Sequence, residues 1–285
     1  MITKVEYKYS FLNFCQQNNQ ALFTARIQRA GRLEFSRLWA LSFCDNVTHL
    51  IERVTRFMDR KKMKQGAFIT FEGIEGCGKS TQAKRLAKRL GRLGIAHVMT
   101  LEPGGTEIGR KMRQVLLDAR NKALTPLAEL MLYAADRAQH VAEVIKPALG
   151  AGKWVICDRF SDATVVYQGA ARGQDRKLIR LLNNVVTDGI LPHLTFLLDC
   201  PVEVGLSRAL GRNMKGQDRF EKEALSFHRK VRQGYLDLAR KNKERFVILD
   251  ATASPKEIEA EILRHVGRFL TQSDVLSAER FGGER

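Results

Sequence analysis

From residue 65 onward the chain alternates between two hydrophobic periods. Five short runs are apolar almost throughout: "AFITF" (67–71), "AHVMTL" (96–101), "KWVICD" (153–158), "LTFLLD" (194–199) and "RFVILD" (245–250). Between them apolar positions recur every three or four residues, which predicts helices over about 78–93, 108–118, 126–149, 219–241 and 254–270. In the first of these, Ala83, Leu86, Ala87, Leu90 and Leu93 share one face. Strands that read as continuous apolar runs are buried on both faces. The pattern therefore predicts an α/β fold with a five-stranded parallel sheet flanked by helices.

Residues 1–64 do not share this alternation. One helical stripe runs over 43–58 (Phe43, Val47, Leu50, Ile51, Val54, Met58), and "DRKKMKQG" reads as a charged hinge before the first strand. "MITKVEYKYSFLNF" lacks an apolar core with a cleavage site, so it does not read as a secretory signal. So little amphipathic pattern can bury little surface. The expected organisation is a basic extension over 1–64, a catalytic domain over 65–271 and a polar tail over 272–285. Met58 and Met63 could each start the catalytic part, so the extension reads as a dispensable arm or the product of an upstream start.

Composition narrows the partners. No run of 18 apolar residues occurs, so no membrane span is expected. The formal net charge is +17, and residues 1–64 carry 12 Lys and Arg against 5 Asp and Glu. A basic excess favours anionic partners, whether nucleotides, nucleic acid or lipid headgroups. The five cysteines (Cys15, Cys44, Cys77, Cys157, Cys200) show no C-x-x-C spacing, which fits reduced thiols in a cytosol. The six histidines show no metal-ligand spacing.

The chemistry begins at "FEGIEGCGKST". Gly73, Gly78, Lys79 and Ser80 match G-x-x-x-x-G-K-[ST], between a predicted strand and a predicted helix, as the phosphate-binding P-loop requires. Glycines let consecutive backbone N–H groups turn inward around phosphate oxygens, and the helix N-terminus adds its partial positive charge. Lys79 reaches the β- and γ-phosphates, and Ser80 offers a hydroxyl to Mg2+. Residues Gly73, Ile74, Glu75, Gly76, Cys77, Gly78, Lys79, Ser80 and Thr81 form the expected ATP cradle within a three-layer P-loop NTPase fold. A P-loop alone leaves kinase, GTPase and motor open. Asp158, at the end of the third strand, can hold Mg2+ or its waters, and Arg159 beside it can hold a second phosphate group. "GLSRALGRNMKGQDRF" places Arg208, Arg212, Lys215 and Arg219 in a glycine-containing stretch that suits a lid over transferring phosphates.

Together "FEGIEGCGKSTQ", "EPGGT", "YAADRAQH", "VICDRFSDATVVYQG", "FLLDCPVEVGL" and "DRFEKE" resemble the bacterial thymidylate kinases, in the family's order, over about 66–270. The resemblance implies phosphoryl transfer from ATP to dTMP with Mg2+, in a cytoplasmic homodimer, with no specific nucleic acid as partner. It places Glu75 opposite the sugar 3′-hydroxyl and metal-bound water. Glu102 and Arg113 lie near the monophosphate, Arg159 holds it, and Leu117 walls the base pocket. Tyr133 stacks on thymine, while Arg137 and Gln168 read the base edge with Thr164 beside them. Tyr167 fills the volume a ribose 2′-hydroxyl would need. Because Gly76 and Cys77 stand where some members carry a P-loop arginine, Arg208, Arg212 and Arg219 would supply the transition-state charge, with Lys79. Leu101 departs from the pattern, since arginine usually precedes "EPGGT".

Two other functions fit parts of the sequence. Another small-metabolite P-loop kinase would lack the "YAADR" and "YQG" pair. A nucleic-acid-dependent ATPase would suit the +17 charge, but no aromatic RNA-binding motif or DNA-reading module accompanies it.

Overall fold

The computed structural model describes residues 66–212, 219–221 and 223–281, without the side chains of 212 and 271–281. The expected extension with its stripe at 43–58, and Lys215, lie outside the described residues.

Five strands form one sheet: β1 (Phe68–Glu72), β2 (His97–Leu101), β3 (Trp154–Asp158), β4 (Leu194–Asp199) and β5 (Phe246–Asp250). All pairings are parallel, in the order β2-β3-β1-β4-β5. Every residue of β1 is buried, whereas the edge strands β2 and β5 are partly open. This is why β1, β3 and β4 read as unbroken apolar runs. The register sets Leu101 beside Asp158, and Phe71 beside both Asp158 and Phe196. The carboxyl ends of β1, β2 and β3 therefore converge on one edge, where open parallel sheets bind ligands.

The helices follow the amphipathic pattern. Helix α1 (Lys79–Arg92) buries Ala83, Leu86, Ala87 and Leu90, and α2 (Glu107–Leu117) is capped by the Thr106 side chain on the Gly109 N–H. Helix α3 (Pro126–His140) starts at Pro126 behind a Thr125 cap. The single helix expected over 126–149 widens instead into a π segment (Val141–Ile145) before α4 (Lys146–Gly150). Pro147 lacks an N–H and crowds the carbonyl four residues back, and the wider turn sits directly before it. Phe68, Val141, Ile145, Val155 and Phe160 form a shared core, with the Phe68 and Phe160 rings edge to face at 4.9 Å.

After β3 come α5 (Ser161–Thr164), a second π segment (Val165–Ala171) and α6 (Arg176–Thr187), none of which the periodicity assigned. Helix α7 (Val202–Arg212) occupies the first half of the expected lid. Gly205 and Gly211 mask its helical pattern. Helix α8 (Leu225–Lys241) begins later than the predicted 219. Ala224 is extended, so the helix cannot run back through it to 219. Helix α9 (Pro255–Phe281) opens with reciprocal hydrogen bonds between Ser254 and Glu257 and runs past residue 270. Gly267 lies inside it, and beyond residue 270 no further glycine or proline follows until Gly282.

Candidate active site

The loop from Gly73 to Gly78 joins the buried β1 to α1. Its glycines are dictated by space as well as by backbone angle. Gly73 has φ 137°, and a Cβ there would lie 2.5 Å from the Leu198 carbonyl oxygen. Gly76 has φ 70°, and a Cβ there would lie 1.8 Å from the Gly205 carbonyl oxygen. Lys79 is 7% exposed, and its ammonium donates to the Ile74 carbonyl at 2.6 Å, with Cys77 Sγ at 3.5 Å. At the loop mouth the Ser80 hydroxyl donates to an Asp158 carboxylate oxygen. Two hard oxygen donors from opposite sides are thus already in contact, which fits a site for Mg2+. Among the described residues no group of three or more His, Cys, Asp or Glu could hold a metal. A cation here would take most of its ligands from phosphate and water. Thr81 is exposed on the first turn of α1, and Cys77, Cys157 and Cys200 are buried free thiols.

A cavity of about 440 Å³ opens beside the loop. Lys79, Ser80 and Asp158 lie along its wall together with Glu75, Glu102, Arg113, Leu117, Tyr133, Arg137, Arg159, Thr164, Tyr167 and Gln168. All ten residues expected around the acceptor therefore share one space, though they come from the P-loop, the loops after β2 and β3, α2, α3, α5 and the second π segment. Leu101 lines the same cavity from the end of β2.

At the loop end, Glu75 accepts from the Tyr167 hydroxyl at 2.5 Å and from Arg159 Nη2 at 3.1 Å. His228 Nδ1 lies 3.3 Å from Glu75 Oε2, within ion-pair reach but not aligned as a hydrogen bond. Burial alone would raise the Glu75 acid. His228, Arg159, Lys79 and Tyr167 outweigh it and hold the carboxyl at about 2. Glu75 is thus an anion at every physiological pH. Behind it, Glu72 is wholly buried and accepts from Tyr235 Oη at 2.7 Å and the Phe160 N–H at 2.8 Å. Burial, then Asp162, push Glu72 up to about 7 against the opposing pull of Arg159, Tyr235 and Phe160. Tyr235 also accepts from Arg159 Nη1 at 3.1 Å, so Arg159 bridges the two carboxylate systems. Arg159 takes φ 72°, a left-handed conformation that costs a non-glycine residue on the order of 1–3 kcal/mol. Its hydrogen bonds and the Tyr167 ring, 5.0 Å from its guanidinium carbon, hold it there.

At the far end, Arg137 is wholly buried. Its Nε donates to Glu102 at 2.8 Å, Nη1 to Asn183 at 2.9 Å, and Nη2 to Thr164 at 3.0 Å and the Phe160 carbonyl at 3.3 Å. The other Glu102 oxygen takes His140 Nδ1 at 2.8 Å. Expected near an acceptor phosphate, Glu102 lines the cavity but spends both oxygens orienting Arg137 and His140. Arg113 Nη1 donates to the Pro103 carbonyl at 2.7 Å. Tyr133 packs against Phe220 at 6.5 Å between ring centres.

The lid residues part company with expectation. Arg208 sits on α7 and donates to the Ala251 carbonyl at 2.8 Å, beyond the end of β5. Arg219 donates to Glu129 and, at 3.1 Å, to the Leu116 carbonyl. Neither is among the residues lining the cavity. The Arg212 side chain lies outside the described residues.

Sequence reasoning missed Glu129, His140, Phe220, His228, Tyr235 and Glu72. A signal existed for four of them: Glu129, Tyr133, Arg137 and His140 follow each other at spacings of four, four and three, one face of one helix. His228, Val231 and Tyr235 form the buried stripe of α8 in the same way.

The Thymidylate kinase family model matches residues 71–262. The chain is 56% identical to the thymidylate kinase of Geotalea uraniireducens (strain Rf4) over 202 residues, 69% of this chain and 94% of that one. It is 57% identical to the thymidylate kinase of Trichlorobacter lovleyi over 199 residues, 68% of this chain and 94% of the relative. The crystal structure of thymidylate kinase from Ehrlichia chaffeensis superposes with a TM-score of 0.57 at 34% identity, covering 71% of this chain and 99% of that one.

Proposed function

The chain belongs to the thymidylate kinase family, and on that premise we propose how its own residues carry a phosphoryl group from ATP to dTMP, giving dTDP and ADP. The observation that carries the reading is the single cavity in which the P-loop cation meets an arginine pair and, at the far end, a ring and an amide.

The P-loop N–H groups, the α1 N-terminus and Lys79 hold the ATP phosphates. Lys79 is released from the Ile74 carbonyl when a phosphate oxygen offers a better, charged acceptor. Ser80 and Asp158 would hold Mg2+, partly through water. When bound, the ion supplies positive charge for the transferred group. Arg159 and Arg113 hold the dTMP phosphate, and Glu75 accepts from the sugar 3′-hydroxyl. The Tyr167 ring fills the space beside C2′. Tyr133 stacks on thymine, and Gln168 and Arg137, with Thr164 and Leu117, receive its edge. Protein groups do no covalent work: fixing the two phosphates in line supplies most of the acceleration. Arg212, with Arg208, closes over the site and excludes water, while Arg219 stays at the base end on Glu129.

The reading also includes a homodimer. Helix α2 packs on α3, and α3 on α6. These three expose Ile108 and Val115, Leu127 and Met131, and Leu181 and Val185, the last two 61% and 67% exposed. An apolar face shared by three neighbouring helices supports a homodimer through it. Among the described residues no helix is long and apolar enough to cross a membrane. The reading puts the enzyme in the cytoplasm with its nucleotides.

A coupled ADP-release assay across dTMP, dUMP, ribo-TMP, AMP, GMP and CMP tests the function. dTMP is expected to give the highest kcat/KM. Preference for AMP or GMP, or ATP hydrolysis stimulated by DNA and indifferent to dTMP, would overturn it.

A further inference from the structure

One carboxylate beside the cavity is left without a role by the mechanism above. Glu129 is 1% exposed and sits on α3, one turn before Tyr133. Its Oε1 accepts from Gln168 Nε2 at 2.7 Å and from Arg172 Nε at 2.8 Å, and its Oε2 accepts from Arg219 Nη2. An ionised carboxylate can only accept. The Gln168 amide, itself 1% exposed, therefore cannot turn over, because its carbonyl would then face Glu129 with no water to screen the repulsion.

Gln168 Oε1 is thus fixed as the outward atom. It takes no hydrogen bond from any described residue, and Gln168 lines the cavity. Arg137 lines the same cavity and is bonded to Thr164, one turn before Gln168; it can only donate, and an Nη1 hydrogen remains after its bonds to Glu102, Asn183, Thr164 and Phe160. An acceptor next to a donor complements the imide edge of thymine or uracil, where N3–H adjoins a carbonyl. It opposes cytosine, where N3 accepts and the neighbouring amino group donates.

We propose that Glu129 is a positioning residue that sets the base selectivity of this kinase, by locking Gln168 with its carbonyl toward the base, so that dTMP is taken and dCMP refused. This rests on the reading of the cavity as the dTMP site. Discrimination then comes from a buried polar group that the wrong base leaves unpaired or repelled, the kind of contact that separates similar ligands most sharply.

The test measures kcat/KM for dTMP and dCMP, with the competitive Ki of dCMP where it is not turned over. It compares the wild type, Glu129→Gln, and the exchanged pair Glu129→Gln with Gln168→Glu. In Glu129→Gln, residue 129 can donate as well as accept, and Gln168 is free to turn. The dTMP/dCMP ratio is expected to fall about tenfold or more, with KM for ATP within about twofold. In the exchanged pair residue 168 can only accept again, and the ratio is expected to recover. A purely structural Glu129 would slow both bases in proportion. A ratio within about twofold of the wild type in Glu129→Gln therefore overturns the proposal. Should that variant melt too early to assay, Glu129→Asp keeps the charge for Arg172 and Arg219 but draws it back from Gln168, and the same ratio decides. A wild type that does not turn over dTMP would overturn the substrate reading instead.

Discussion

Tyr167 and Glu75 meet across the cavity, the phenol donating to the carboxylate at 2.5 Å while its ring faces the Arg159 guanidinium. One side chain thus combines a volume and a hydroxyl, which two substitutions separate. Tyr167→Ala removes both. It should raise relative activity on ribo-TMP by the roughly 1–3 kcal/mol of a small change in a pocket. Tyr167→Phe keeps the volume and frees Glu75. It should leave the deoxy/ribo ratio of kcat/KM within about twofold while lowering kcat. If Tyr167→Ala leaves that ratio unmoved, the ring is not what excludes the ribose hydroxyl.

Lys79 is the cation of the P-loop, and its present partner is the Ile74 carbonyl. Lys79→Ala should lower kcat on the order of a hundredfold or more, the scale of removing one preorganised charge-stabilising donor. Circular dichroism should show the fold intact. Near-normal turnover in such a folded variant would remove the P-loop from the chemistry.

Arg219 is bonded to Glu129 and the Leu116 carbonyl, at the base end of the site. Arg219→Ala is therefore expected to raise KM for dTMP more than KM for ATP. Loss of kcat alone, with both KM values unchanged, would mean that Arg219 leaves Glu129 and acts on the transferring phosphate.

Glu72 sets a pH dependence of stability. Its folded pKa is raised from 4.5 to about 7, so between those values the unfolded chain has already lost a proton that the folded chain keeps. Stability attributable to Glu72 is therefore full below about 4.5 and falls as pH rises through 7. At about 1.4 kcal/mol per pH unit the loss is about 3 kcal/mol at most. Asp136, pushed up to about 6 by burial and then by Glu102, acts in the same direction, so a comparison of variants is needed. The melting temperature of Glu72→Gln, relative to the wild type, should rise between pH 5 and pH 8. A difference that is flat with pH would show that Glu72 is ionised throughout.

Much of this was legible in the chain. Strand positions and the P-loop follow from apolar runs and a rigid motif whose spacing is set by phosphate geometry. Residues Glu102, Arg113, Tyr133 and Gln168 could be placed in one site only through family resemblance, because nothing local in "EPGGT" or "YQG" shows what they face. The roles of Glu129 and Tyr235 were out of reach for a different reason. Their partners are 39 and 163 residues away, and a buried glutamate reads as a solvated one until its donors are known. The early start assigned to α8 failed because the backbone turns extended at Ala224, a break that helical periodicity cannot foresee.

The central place of β1 in the sheet has a consequence for amide exchange. Its amides point alternately to β3 and β4, so the whole set exchanges only when both neighbours have come away, whereas β2 and β5 each lie on an open edge. In deuterated buffer the N–H groups of 68–72 should be among the last to exchange, at a rate set by global opening, with the edges released earlier by partial openings. The phosphate loop is spliced directly onto this last-opening segment. Heating should therefore not yield a folded protein that has lost only its nucleotide cradle: ATP binding and the final protected amides should disappear in the same transition.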